Sequence, residues 1–435
     1  MFLKRLQISL IHMAVAMTLV PINSTLNRVM IKELAMSATL VAALASLPYL
    51  FSPIQVAIGS FSDRFPLFGL RRTPYIVLGL LLCIFGVVVS PQAAFAMQSN
   101  FWAGLGLGVL AFGAWGMGYN FATVAYFSLA TEISGPKGRA RTIATMFFMM
   151  IIAIIFTATL LGRLVTPYTP ANLSRAFWVI GALAFIFGIV GVLGLERSGG
   201  AISEGEKRHS WGAMMRVILG NRQASLFFVY LILLLTAILG QDLLLEPYGA
   251  EAFGMPVDAT TRITSIWGTS FLVSLVVAGA LEGRVSKFAL SRIGAWGGMI
   301  SFPIIIVSGI FARIGLFYAG VVLLGLATGL ATVSNLSLML DMTTASNVGL
   351  FIGAWGMAGA FARLLGNVLN GAVRDAFTSV TQNLVAGYQV VFVIETLMLF
   401  ASLILLGRIN VRVFQREAEQ NDLTVLERAA LAGEM

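Results

Sequence analysis

The chain has 435 residues, of which 58% are hydrophobic and only 11% charged, with a mean hydropathy of +0.90. A soluble globular domain carries charge on about a quarter of its residues. A water-soluble fold is therefore excluded, and with it a nucleic-acid-binding module, despite the net charge of +9. The single cysteine, Cys83, lies in an apolar run, which excludes an internal disulfide and a cysteine-based metal site.

In chain order, Lys4-Arg5 and the apolar run after it superficially resemble a signal peptide. No convincing small-residue cleavage site follows and many apolar runs do, so this is read as the first membrane span. Uncharged runs then separate Glu33 from Asp63, Arg141 from Arg163, and Arg175 from Glu196. Residues 73–131 hold two more spans, broken by the polar pieces Ser90-Pro-Gln and Gln98-Ser-Asn100. Glu196–Arg222 is polar and ends in Trp211–Arg216, a linker with a short amphipathic stretch suited to a membrane surface. The series resumes between Arg222 and Asp242, Arg262 and Glu282, Arg292 and Arg313, Arg313 and Asp341, Asp341 and Arg363, and Asp375 and Glu395. A spanning helix needs about 20 mainly apolar residues, so twelve spans are expected, the last containing Glu395. Barrel strands would alternate apolar and polar residues, and Ile76–Val89 does not. The expected division is a six-helix half over 1–195, a linker over 196–222, a second six-helix half over 223–408 and a tail over 409–435. Most of the 28 Lys and Arg residues fall in segments on the side of the termini. The positive-inside rule then places both termini in the cytoplasm, in an inner membrane.

Two segments at corresponding places in the halves match without a gap: Gly59–Arg72 and Gly279–Arg292 share Gly, Arg, Phe, Leu and the last Arg. Tandem membrane halves are a common construction of secondary transporters. The segment Gln241–Asp258 between spans 7 and 8 carries four acids, with Gly and Pro residues that interrupt the helix, and is expected on the outward side.

The pattern Gly59-x-x-x-Asp63-Arg64 with Arg71 and Arg72 resembles the signature between helices 2 and 3 of the major facilitator superfamily. That resemblance implies an all-α integral membrane fold, a twelve-helix bundle of two pseudo-symmetric six-helix halves. It also marks Gly59, Asp63, Arg64, Arg71 and Arg72, with Gly279, Arg284 and Arg292 in the second copy, as a conformational latch; a plain turn anchored by basic residues is the alternative. The sequence departs from the pattern by inserting Phe65–Gly69 and by placing Gly283 where the second Asp would stand. Asp63–Tyr75 and Gln241–Gly254 further resemble the two signatures of the PucC/LhaA group, the bacteriochlorophyll delivery family, the second through Asp242, Glu246, Pro247, Tyr248, Gly249, Glu251 and Gly254. This implies a light-harvesting assembly factor in the photosynthetic membrane, with (bacterio)chlorophyll as cargo. The implied partners are membrane lipid, antenna polypeptides and a pigment-synthesis enzyme.

Ionisable groups deep in a bilayer are expensive and usually functional. Glu395 in span 12 and Arg363 in span 11 are the clearest, as an ion pair or as a proton-coupling pair. A chlorophyll needs an axial ligand for its magnesium, and the intramembrane candidates are His12, Gln55, Asn120, Gln241 and Asn335, each also readable as an ordinary helix contact. Trp-containing Gly-Ala-Trp-Gly-Met occurs at Gly113–Met117 and Gly353–Met357, at places the repeat does not pair. No phosphate loop, metal-site cluster or nucleophile–histidine arrangement occurs, so an enzyme is not expected. A proton-coupled carrier using Glu395 and Arg363, and a scaffold that binds antenna polypeptides without pigment, stay open as alternatives.

Overall fold

In the computed structural model the described residues are 2–54, 58, 61–62, 65–196, 215, 218–281, 284–343 and 348–417. Gln55, Gly59, Asp63, Arg64, most of the linker and the end of the tail lie outside them. Ten helices are long and apolar enough to cross a membrane: α1 (Phe2–Glu33), α3 (Thr73–Ser99), α4 (Phe101–Gly135), α5 (Arg141–Leu164), α6 (Pro170–Val192), α7 (Arg222–Leu243), α8 (Val257–Leu281), α9 (Lys287–Ile310), α10 (Ile314–Asp341) and α12 (Leu384–Leu406). The other two crossings are α2, which begins as Ala38–Ala45 and continues as Leu47–Leu50, and α11 (Val348–Thr381). Helix α11 carries Arg363, Arg374 and Asp375. A thirteenth helix, Leu245–Phe253, connects α7 to α8.

Local chemistry sets the helix ends. Ser37, Asn100, Thr169, Asn221, Ser286 and Asn383 each accept a hydrogen bond from the backbone N–H three residues on, starting α2, α4, α6, α7, α9 and α12. The break inside 73–131 therefore falls at Asn100, while Pro91 is accommodated within α3. In α1, Pro21 cannot donate a backbone N–H, and the helix widens there into π-type turns over Pro21–Leu26 and Val29–Glu33.

The two halves repeat their packing. Helix α3 lies on α4 so closely that a Cβ on Gly118 would stand 2.4 Å from the Gly79 carbonyl oxygen; α9 lies on α10 with a Cβ on Gly294 2.8 Å from the Ala331 nitrogen. Across the halves, α5 meets α8 and α2 meets α11. One core cluster runs through both halves, from Met17 and Trp115 to Trp355 and Phe392.

Candidate functional site

The hydrogen bonds and ion pairs joining the halves gather in the part of the bundle farther from the termini, and the Gln241–Gly254 segment is at their centre. Its helix is buried from Leu245 to Ala250. Glu246 is 2% exposed and its Oε1 accepts from Ser24 on α1 and from Thr264 on α8, at 2.5 Å in the latter case. Next to it Thr25 and Thr261 join their hydroxyls at 3.0 Å, and Asn27 donates to the Leu243 carbonyl. Arg28 donates to the Met255 carbonyl at 3.0 Å and pairs with Glu33, while Lys32 reaches Glu251 at 2.6 Å. Tyr248 is enclosed by Phe253, Phe317, Tyr388 and Phe392 and donates to the Ile305 carbonyl at 2.9 Å. Gly254 ends the helix in the left-handed conformation, at φ 63°. The segment thus lies at the end of the bundle away from the termini, but as a buried helix and not an open acidic loop. Its glutamates are turned inward, because α1 offers the Ser24 hydroxyl and Lys32 and α8 the Thr264 hydroxyl.

A second lock joins α11 to α2. Asp375 accepts from the backbone N–H groups of Ala38 and Thr39, at 3.1 and 2.8 Å, and from the Thr39 hydroxyl at 2.7 Å, so it caps α2 from the opposite half. Arg374 holds Asp375 at 2.9 Å and stands 4.7 Å from the Tyr388 ring centroid. Deeper, Asn367 donates to Ser46 at 3.1 Å.

Below these locks lies the polar centre of the bundle. The sequence offered Arg363 as the partner of Glu395. Instead, Glu395 is fully buried and its Oε1 accepts from Asn370 at 2.8 Å, about two helical turns along α11 from Arg363. The Arg363 guanidinium stands 5.6 Å from the Tyr49 ring centroid, and the Asp242 carboxylate accepts from Gln241 at 2.8 Å. Asn367, Asn370, Arg374 and Asp375 were all missed by sequence reasoning. Arg363, Asn367, Asn370 and Arg374 recur at spacings of four, three and four, a polar stripe on one face of α11 that was there to be read.

The pigment-ligand candidates divide by what their polar atoms already do. Asn120 donates to the Pro48 and Gly116 carbonyls at 2.9 and 2.8 Å, fastening α4 to the broken α2. Asn335 accepts from Tyr230 at 2.6 Å and donates to the Ala331 carbonyl at 2.6 Å, tying α7 to α10. His12 and Gln241 differ: His12 Nδ1 and Gln241 Oε1 are buried without a hydrogen-bond partner. The His12 ring sits among Tyr126, Phe127 and Phe147, with centroids 5.1, 5.6 and 5.3 Å away. A buried lone pair left unsatisfied is costly, and among the described candidates His12 Nδ1 and Gln241 Oε1 are atoms of that kind, each able to offer a lone pair to a magnesium ion.

At the terminus side, Arg72 is 6% exposed and bonds Glu132 through Nε at 3.1 Å and Ser62 at 2.7 Å. Glu196, just past α6, accepts from the N–H groups of Arg71, Arg72 and Thr73, at 2.7, 3.0 and 2.7 Å, and so caps α3. Burial pushes the Glu196 carboxyl up, but these backbone bonds outweigh it and hold it below its ordinary value. The matching pair in the second half is Lys287 with Asp341 at 2.8 Å. Arg284 and Arg292 are exposed, and a Cβ on Gly279 would meet open space. The ungapped match past Arg284 is therefore out of register: Lys287, not Arg292, stands where Arg72 does, because the second half lacks the Phe65–Gly69 insertion.

Two linked six-helix halves, with paired charges joining the start of α3 to the end of α4 and the start of α9 to the end of α10, give the chain a fold of the major-facilitator type. Solved structures agree with that fold. A nucleoside transporter, NupG, superposes with a TM-score of 0.70 at 14% identity, covering 92% of this chain and 98% of its own. A D-xylose–proton symporter gives 0.71 at 14%, covering 92% and 96%. An inward-facing, unoccupied bacterial homologue of the human lysosomal transporter Spinster gives 0.72 at 12%, covering 95% and 97%. Residues 25–414 match the PUCC protein family, and the chain belongs to it. Among its relatives, Protein PucC of Rhodobacter capsulatus is 30% identical over 417 residues, 92% of this chain and 90% of that one. The Bacteriochlorophyll synthase 44.5 kDa chain of the same organism is 26% identical over 385 residues, 86% and 88%.

Proposed function

We propose that this protein handles (bacterio)chlorophyll in the photosynthetic membrane and passes it to antenna polypeptides, without catalysing a reaction. The observation that carries this reading is the family match across residues 25–414, which takes in the second signature and most of both halves. The names of its relatives point to pigment-complex work. Both termini face the cytoplasm on this reading, since the basic segments lie on their side. Pigment is held within the bundle near α1, α4 and α7, and leaves sideways to an antenna helix. His12 Nδ1 and Gln241 Oε1, each a buried lone pair without a partner and at different levels of the bundle, would each offer a separate ligand for a pigment magnesium. A pigment-synthesis enzyme is the source of the cargo.

The test is an absorption spectrum of the tagged protein purified in mild detergent from its native host. Near-stoichiometric, red-shifted chlorophyll-type absorbance is expected, and it should fall on His12→Leu and Gln241→Leu. A colourless preparation that still retains antenna polypeptides would replace this reading with that of a scaffold. A second reading, a proton-coupled carrier, is favoured by one observation: Glu395 is wholly buried with Oε2 unpartnered. Proton-gradient-driven uptake abolished by Glu395→Gln would establish it.

A further inference from the structure

The loop between α2 and α3 presents its most apolar residues outward. Phe68 is 94% exposed, and Phe61, Phe65 and Leu67 are each about half exposed. Leu67 and Leu70 exchange both backbone hydrogen bonds at 3.0 Å, closing a two-residue turn. Phe68 and Gly69 both have positive φ, 54° and 73°. This is the geometry of a type I′ turn, whose first central position ordinarily takes Asn, Asp or Gly. A phenylalanine there is strained, and such strain persists only where the surroundings over-determine it.

The surroundings do so on both flanks. The Tyr75 hydroxyl donates to the Phe65 carbonyl at 2.6 Å, and the Phe61 ring lies 4.7 Å from Phe65 and edge-on to Tyr75. On the other flank, the Glu196 carboxylate holds the N–H groups of Arg71, Arg72 and Thr73. Among the described residues the second half has nothing comparable. There the chain passes from Arg284 directly into α9, and Phe288 is partly buried against the core.

We propose that Phe61, Phe65, Leu67 and Phe68 form a fixed wedge seated in the headgroup–acyl boundary of the leaflet on the terminus side. The turn lies three residues before α3 begins, where the chain re-enters the hydrocarbon, and its rings need burial that this chain does not provide. Aromatic side chains favour that depth. The basic excess on the same side, with Arg71 beside the turn, complements anionic headgroups. The wedge fixes the depth of the α2–α3 turn.

Phe68→Cys carrying a small fluorophore tests this, because the native Cys83 is fully buried and leaves the label site-specific. The protein is placed in nanodiscs of phosphatidylethanolamine and phosphatidylglycerol and quenched either by brominated acyl chains or by iodide in the buffer. Arg284→Cys, at the exposed turn of the second half, is the reference. Bromolipid should quench position 68 several-fold more than position 284, and iodide should do the reverse. Leu67→Cys repeats the reading without touching the strained position. Iodide quenching at both 67 and 68 as strong as at 284, with no bromolipid effect, overturns the proposal. Protection from both quenchers that appears only in native membranes also overturns it, by showing that a protein covers the turn.

Discussion

Glu246 and Glu196 are single carboxylates that each fasten several elements, and they fail in different ways. Glu246 uses one oxygen to take hydroxyls from α1 and α8. Glu246→Gln keeps that acceptor and should leave the thermal midpoint in detergent nearly unchanged. Glu246→Leu leaves the buried Ser24 hydroxyl and the half-buried Thr264 hydroxyl without that acceptor; the buried loss alone costs about 1–3 kcal/mol and should lower the midpoint clearly. Equal midpoints for the two variants would remove Glu246 from the lock. Glu196 acts by its charge on the N-terminus of α3, so its contribution depends on pH. Its folded pKa lies below the ordinary 4.5, so the unfolded chain takes up protons first as pH falls. The stabilisation is fully present above the ordinary value and fades as pH drops below it toward the folded value. Glu196→Gln should therefore be less stable than the parent at neutral pH, by about 1 kcal/mol on the scale of helix caps. The gap should close in acid; a gap that held constant through the acid range would contradict the capping role.

The element that organises the sealed side is α11, whose polar stripe faces three neighbours in turn: Arg363 toward Tyr49 of α2, Asn370 toward Glu395 of α12, and Arg374 toward Tyr388 and Asp375. Asp375 then caps α2 from across the halves. Asp375→Ala removes three accepted hydrogen bonds from the start of α2. It should destabilise by about 1–2 kcal/mol and speed hydrogen exchange of the backbone amides of Ala38 and Thr39, which Asp375 holds. Unchanged exchange would show that α2 keeps its start without the cap. The twelve crossings were legible because apolar length is a local signal, and the second signature could be picked out by its composition. What that signature does was not legible. Burial of Glu246 depends on hydroxyls at Ser24 and Thr264, far away along the chain, and nothing in Leu245–Phe253 announces them. The repeat was visible but its register was not: an ungapped match cannot show that five inserted residues form a turn and leave Arg72 opposite Lys287. The Glu395–Arg363 pairing failed for a related reason, since complementary charge says nothing about which face of α11 meets α12.

For the whole molecule, the two functional readings make opposite demands on the sealed side. A carrier that alternates access must part the halves where α1 meets α8, because substrate has to leave or enter there. A factor that exchanges pigment sideways within the membrane can work with those halves permanently joined. The Thr25 and Thr261 hydroxyls are 3.0 Å apart across that junction, so the two side chains meet end to end, as the partners of a disulfide must. Thr25→Cys with Thr261→Cys should therefore oxidise to an inter-half staple, with the buried Cys83 as bystander. In a phototrophic host whose antenna assembly depends on this protein, the oxidised double variant should still support near-parental antenna absorbance, and reduction should change little. Loss of antenna assembly on oxidation, restored on reduction, would mean that the halves must separate for function, and would move the assignment to the alternating-access carrier.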